Sequence, residues 1–470
     1  MSAEHALSRR ALLAGGAVLA AGLACGRHAL ARGRLPLGGR VTFHVPWPLG
    51  SVDPHAIDDV TAAIVGGALF DTLYAAEDSG AFAPSLAEAE PEVDGQSLRV
   101  TLRGGLRAAS GRAIEARDVA FSIARARANG ARAWLAEVPP PKLEGTRTLV
   151  FEGVLSASPA GHVHGPEGAE GGLDARRLVR ALGSPLVAIV PVGFSPEKPD
   201  GTGPFRAQRD ADGLVLRRNA YAASGPSFVD EVLVHAAPNL AASLQSFESG
   251  VDDIGWLGSG LHEPRPGART FDAGMIAWAL LRTGHDAGNW DAPGVAQQVA
   301  DGIPPGRVSY LALGAPWKQS ADDGWGGAPC ELLVRDDAVW LVELARAIAS
   351  SLTRPAHEVV AKPIAQADFA ARRASSAYAL ALDVARPLAQ SALGIMASLA
   401  TADNPAAAVD VVRFPPRGAD VAPRTTTRTM RVGVVGEVRV QGGRAPGLNL
   451  AILSGSGIDL GSTYRTTKSP

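Results

Sequence analysis

Three groups of residues in this chain have types and spacing that could do chemistry. Asp383 and Arg386 follow the apolar stretch Tyr378 to Leu382, which reads as the last strand of a βαβαβ unit. Parallel strands joined by crossover helices bind ligands at their carboxyl ends, which here means Asp383 to Pro387. His162 and His164, with Glu167 and Glu170 nearby, are ligand types for a borderline metal ion. They stand in SASPAGHVHGPEGAEGG, a low-complexity loop without the supporting groups that fix metal ligands, so no metal is expected. Gly455-Ser456-Gly457-Ile458-Asp459-Leu460-Gly461 is glycine-rich but badly spaced for a dinucleotide, and reads as a turn. There is no Gly-x-Ser-x-Gly elbow, no phosphate loop ending in Gly-Lys-Ser/Thr and no His-Glu-x-x-His, so neither an enzyme nor a cofactor is expected.

The elements that must position Asp383 and Arg386 are regular. A strand is expected over Glu331 to Arg335, a helix over Ala338 to Leu352, a strand over Glu358 to Ala361, a helix over Ala365 to Ala374 and a strand over Tyr378 to Asp383. In the long helix Leu341, Leu344, Ile348 and Leu352 recur at three- and four-residue spacing, with Asp337 placed to cap it. Further towards the N-terminus, short strands at 41–45, 98–103, 148–152, 213–217 and 231–235 mix with helices. In one of them Leu98, Val100 and Leu102 alternate with polar residues, Gly104-Gly105 ends the run, and Glu115 to Asp118 open a helix that buries Val119, Ile123 and Ala126. Residues 260–270 and 414–429 are Pro- and Arg-rich connectors, and 431–440 and 448–453 are strand-like.

The order of several short motifs resembles the family 5 extracellular solute-binding proteins, the binding subunits of peptide, nickel and related ABC importers. The motifs are Val52-Asp53-Pro54, Leu69-Phe70-Asp71-Thr72-Leu73, Pro84-Ser85-Leu86-Ala87-Glu88, Leu102-Arg103, and Asp118-Val119-Ala120-Phe121-Ser122. Gly201-Thr202-Gly203-Pro204-Phe205, Leu216 to Tyr221, Gly225-Pro226, Asp230-Glu231-Val232 and Gln245 to Asp252 continue the pattern, so the likeness covers roughly residues 40–260. It implies an α/β, two-lobed periplasmic binding protein fold of type II, cluster C-like, with a hinge between the lobes. Lobe one would take residues 32–270, lobe two 271–428, and 429–470 would return to lobe one, the hinge lying in crossings near Phe271 to Arg282 and Arg424 to Arg431.

The same resemblance implies a peptide-like ligand held in an interlobe cleft and passed to an ABC permease in the inner membrane. Trp47, Leu49 and Ser51 follow the first strand, where the family lines its cleft; Trp278 and Arg282 lie in the hinge strand, and Asp383 and Arg386 end a lobe-two strand. These seven are the expected ligand contacts, since aromatic walls and a few fixed polar groups are what such a cleft requires. The chain departs from the peptide-binding pattern at one point. Those members carry a Trp and then an acid that holds the peptide's amino terminus, whereas this chain reads Asp383-Val384-Ala385-Arg386-Pro387-Leu388. Either Asp383 takes that role from a shifted position or the ligand is not an ordinary free peptide. A nickel chelate or another small solute, or a degenerate receptor or scaffold without transport, are the alternatives.

Ser8-Arg9-Arg10-Ala11-Leu12-Leu13 resembles a twin-arginine export signal, and its apolar run ends at Ala24. A membrane span needs about 20 such residues, so residues 1–31 read as a signal peptide cleaved after Ala31, with acylation at Cys25 as the competing fate. A periplasmic product is expected. Cys330 is then the only other cysteine, which leaves no intramolecular disulfide. A net charge of −2 gives no footprint for nucleic acid, and 46% hydrophobic residues in 470 suffice for two lobes and a monomer.

Overall fold

Val41, Phe43 and Val45 are buried at every second position of Arg40–Val45, and that alternation makes the first strand, β1. The computed structural model describes residues 38–47, 49–77, 80–152, 174–210, 213–256, 265–304, 325–414, 423–453 and 457–466. The expectations for Arg9, Arg10, Cys25, Ala31, His162 and His164, and for the opening of the 455–461 segment, lie outside these residues.

Among the described residues, four α-helices and eleven strands make up the first half. After β1 come helix α1 (Val60–Leu69), the hairpin β2 (Tyr74–Ala76) and β3 (Phe82–Pro84), then β4 (Glu92–Asp94) and β5 (Ser97–Thr101). Helix α2 (Ala116–Asn129), β6 (Lys142–Glu144), β7 (Thr148–Glu152) and α3 (Ala175–Leu182) follow. Then come β8 (Phe205–Arg209), β9 (Gly213–Arg218), β10 (Glu231–Ala236), α4 (Leu240–Glu248) and β11 (Ile254–Trp256). Strands β4 to β7 form a separate four-stranded sheet in the order β4-β5-β7-β6. Val119, Ile123 and Ala126 of α2 and Leu178 and Leu182 of α3 share an apolar cluster with Leu98, Val100 and Phe151 of that sheet.

The second half supplies β12 (Arg269–Thr283), α5 (Val295–Asp301), β13 (Cys330–Arg335), α6 (Val339–Leu352), β14 (Val359–Ile364), α7 (Gln366–Ser375) and β15 (Leu380–Ala385). It continues with α8 (Ala392–Asp403), α9 (Ala408–Arg413), α10 (Pro423–Thr427), β16 (Val432–Arg444), and the hairpin β17 (Leu448–Leu453) and β18 (Gly457–Arg465). Strand β13 lies between β14 and β15 and is parallel to both, as the βαβαβ expectation requires. Helix α6 buries Leu341, Leu344, Ile348 and Leu352. Its start differs from expectation: Ala338 occupies the cap position without a side-chain bond, because the Asp337 carboxylate accepts instead from Arg335 Nε and Nη2, both at 2.8 Å.

One sheet of ten strands, in the order β14-β13-β15-β12-β16-β11-β1-β10-β9-β8, runs through both lobes. Its middle is the antiparallel pair β12 and β16, in register from Arg269 opposite Arg444 to Arg282 opposite Val432. The register shifts between Asp272 and Met275, between Met275 and Ala277, and between Ala279 and Leu280, so the ladder is bulged at three points. The segment 424–431, expected as the second crossing, forms α10 and a turn that leads into β16. Pro423 starts that helix and the Thr-rich run after it has no apolar alternation, while Gln297 Oε1 accepts from Thr427 Oγ1 at 2.5 Å and from the Val434 N–H at 2.9 Å and fixes where β16 begins. No described helix is long and apolar enough to cross a membrane.

Candidate functional site

Trp278, Leu280 and Arg282 alternate along β12, and their partners in β15 are Ala385, Asp383 and Ala381. Cross-strand partners share a face, so Trp278, Arg282 and Asp383 stand on one side of the sheet. Asp383 is 1% exposed. Its Oδ2 accepts from Arg282 Nε and from Arg373 Nη1 of α7, each at 3.1 Å, and its Oδ1 accepts from the Val384 N–H at 2.8 Å. Burial alone would push this carboxyl up, but the Arg373 and Arg282 guanidiniums overcome it and hold it below the usual range. Arg282 also donates to the Ala402 carbonyl. Arg373 reaches further, to Asp58 Oδ2 at 3.0 Å in the connection between β1 and α1.

That connection is built by its acids. The Asp53 carboxylate takes both Nη atoms of Arg125 on α2 at 2.6 Å, and its Oδ1 also accepts from the His55 N–H at 3.0 Å. The Asp59 carboxylate accepts from the Asp53 N–H at 2.7 Å and caps α1 by accepting from the Ala62 N–H at 2.8 Å. His55 donates from Nε2 to the Ala188 carbonyl at 2.8 Å and accepts at Nδ1 from Arg125 at 2.9 Å, which requires the neutral ring. Burial, with the Arg125 charge, pushes His55 down to about 4, and burial pushes Asp59 up to about 6 against its two backbone N–H bonds.

Arg386 enters this loop from the end of β15. It is 5% exposed and donates from Nη1 to the carbonyls of Pro54 (3.4 Å) and Ala56 (3.2 Å) and from Nη2 to that of Ala62 (3.5 Å), while its backbone N–H donates to Ile57 at 2.7 Å. Burial lowers its pKa against the pull of Asp59, Asp53 and Asp58. Carbonyls therefore satisfy a cation buried at the point where lobe two meets the start of α1.

The other expected contacts are distributed differently. Trp278 is fully buried in a cluster with Met275, Leu280, Ala385, Leu399 and Met430. Trp47 belongs to the main core, with ring centroids 6.0 Å from Trp256 and 6.3 Å from Trp340, so it joins the end of β1 to the start of α6. Leu49 is half-buried against that core and Ser51 is exposed. Thus Trp278, Arg282 and Asp383 come together, Arg386 joins the 53–62 loop, and Trp47 packs in a different cluster. The indole N–H groups of Trp47 and Trp278 are both buried with no acceptor among the described residues. Sequence reasoning missed Arg125, His55, Asp58, Asp59 and Arg373. The only available signal was the density of Asp53, Asp58 and Asp59 just after the Asp53-Pro54 motif.

This architecture is that of the two-lobed α/β periplasmic binding proteins. Residues 81–262 match the family model described as bacterial extracellular solute-binding proteins, family 5 Middle, in keeping with the resemblance read from the sequence. Among solved structures it is similar to the binding protein AgaA from A. tumefaciens R10 in complex with agropinic acid, at 15% identity and a TM-score of 0.68, over 92% of this chain and 99% of that one. It is similar to the oligopeptide-binding protein AppA from Bacillus subtilis in complex with a nonapeptide, at 12% identity and a TM-score of 0.67, over 92% and 100%. NikA from Brucella suis in complex with Fe(III)-EDTA matches at 13% identity and a TM-score of 0.62, over 91% and 100%. No curated protein matches the chain.

Proposed function

We propose that this protein captures a peptide-like solute between its lobes and delivers it to an ABC permease by hinge closure, with no catalytic step. The observation that carries the reading is the junction itself: Arg386 and Arg373 of lobe two engage the loop 53–62 of lobe one, while the long strands β12 and β16 carry the chain between the lobes. A solute that touches both sides favours the shut form by its differential affinity, and a micromolar solute supplies about 8 kcal/mol, part of which goes to closure. Trp278, beside Arg282 and Asp383, is the aromatic wall in this proposal, and its free N–H is a donor for the solute. Export through the twin-arginine route, with Arg9 and Arg10 as its signal, belongs to the same reading. Replacing both by Lys then leaves unprocessed precursor in the cytoplasm.

One observation favours a second reading of the ligand. Asp383 already faces two guanidiniums, so an incoming ammonium would compete with Arg282 and Arg373 for it. A solute without a free amino terminus, such as a metal chelate or another small organic molecule, avoids that competition. Native mass spectrometry of the protein purified from its own periplasm separates the two. A retained peptide mass series supports the first reading, a single non-peptide mass the second, and ligand addition without compaction in solution scattering overturns closure.

A further inference from the structure

We infer that the far end of lobe one carries a second binding site, for a phosphate group, in the cavity between Arg269 and Arg444. The two arginines are direct cross-strand partners at the ends of β12 and β16. Like charges placed directly opposite each other destabilise a ladder unless something neutralises them. Among the described residues nothing does. The Arg269 guanidinium has neither an ion pair nor a hydrogen bond among the described residues, and Arg444 has only one bond, from Nη1 to the Leu448 carbonyl at 3.3 Å. Arg444 Nε is buried with no acceptor, an omission that normally costs about 1 to 3 kcal/mol.

The two side chains line a cavity of about 340 Å³ together with Pro446, Leu448, Asn449 and Thr466, and no acidic residue is among its described lining residues. Two carboxylates close by in the fold are committed elsewhere: Asp253, just before β11, to Arg465 and to the Thr42 N–H, and Asp272 of β12 to Arg439 at 2.8 Å. A second cavity of about 500 Å³ across the Ala445-Pro446 turn is lined by Arg40, Arg265, Arg465 and Asp253, but there Arg465 is paired with Asp253 and Arg40 with Glu231, so its charge is largely neutralised. Two adjacent guanidiniums with spare N–H groups match the oxygens of a tetrahedral phosphate, which can bond both at once and cancel their repulsion. The site is separate from the interlobe junction, because Arg269 and Trp278 are nine residues apart on one strand, roughly 30 Å at ~3.3 Å per residue. It stands whether or not the solute reading above is right.

The phosphate can belong to a free anion or to a phospholipid headgroup, and one set of measurements distinguishes them. Inorganic phosphate should raise the melting temperature of the full chain above that in chloride of equal ionic strength. Arg269→Gln, at an exposed position that leaves the fold intact, should weaken that binding about tenfold, as expected for one charge-assisted contact. Arg40→Gln, in the neighbouring cavity, should leave it nearly unchanged. Retention on phosphatidylglycerol vesicles that is absent with phosphatidylcholine, competed by phosphate and lost in Arg269→Gln, assigns a headgroup; phosphate binding without such retention assigns a soluble anion. Equal effects of phosphate and chloride with no Arg269-dependent retention, or unchanged binding in Arg269→Gln, would overturn the site.

Discussion

Arg373 Nη1 lies 3.0 Å from Asp58 Oδ2, and this contact ties helix α7 to the loop that opens α1, 315 residues away. Both side chains are partly open to solvent, at 30% and 26%, so the pair contributes about 1 kcal/mol or less to folding. If the lobes close as proposed, its effect falls on the balance between open and shut. Asp58→Asn should leave the melting temperature within about 2 to 4 °C of the parent while increasing the radius of gyration of the ligand-free protein in solution scattering. The same shift should appear in the parent as salt is raised, because exposed pairs are screened.

Asp383 is the opposite case, since it is buried and holds two cations. Asp383→Asn strands Arg282 and Arg373 without their shared counter-charge and should cost about 3 to 5 kcal/mol in urea unfolding at pH 7. The folded carboxyl titrates below its ordinary value, so its contribution is present above the unfolded value near 4 and is lost as pH falls through the lower folded one. The parent should therefore lose stability below about pH 4, and the variant should lose less over that range.

His55 and Asp59 set opposing pH slopes in one loop. His55, pushed down to about 4, gives stability that is present above its unfolded value near 6.5 and disappears as pH falls towards 4. Asp59, pushed up to about 6, gives stability that is present below about 4 and disappears as pH rises through 6. Each amounts to about 3 kcal/mol, so between pH 4 and 6 they nearly cancel. His55→Gln should expose a fall in stability over that range and Asp59→Asn a rise, both measurable by denaturant titration. Flat profiles in both variants would show that the loop does not titrate this way.

Trp278→Phe keeps most of the ring volume and removes the unpartnered N–H. Stability should change by no more than about 1.5 kcal/mol, while affinity for the solute identified by native mass spectrometry should fall about tenfold in calorimetry. Trp47→Ala should act differently. Its ring packs between Trp256 and Trp340 in the main core, so the loss should be in stability, about 3 to 5 kcal/mol.

Much of the fold could be read locally. Leu448 to Leu453 is a strand with the expected bounds, and the βαβαβ unit with its α6 stripe follows from periods of two and 3.6. The long hinge strand was harder to bound, because β12 is buried at nearly every position from Ala273 onwards and loses its alternation. The junction was the least legible part. Arg373 and Asp58 stand 315 residues apart, and Arg386 and Ala56 stand 330 apart. No local period marks a guanidinium that is satisfied by distant carbonyls, so Arg386 could be placed at a strand end but not given its partners.

The three bulges in the β12 and β16 ladder interrupt its register without ending the pairing. Each bulge is a place where twist can change while the flanking amide bonds stay closed, so the closure proposed above would rock the lobes on a ribbon that remains hydrogen-bonded. On that proposal, amide hydrogens at Leu280 to Arg282 should exchange only at the rate of global unfolding with or without solute, and closure should show in exchange at the 54–62 loop that Arg386 holds.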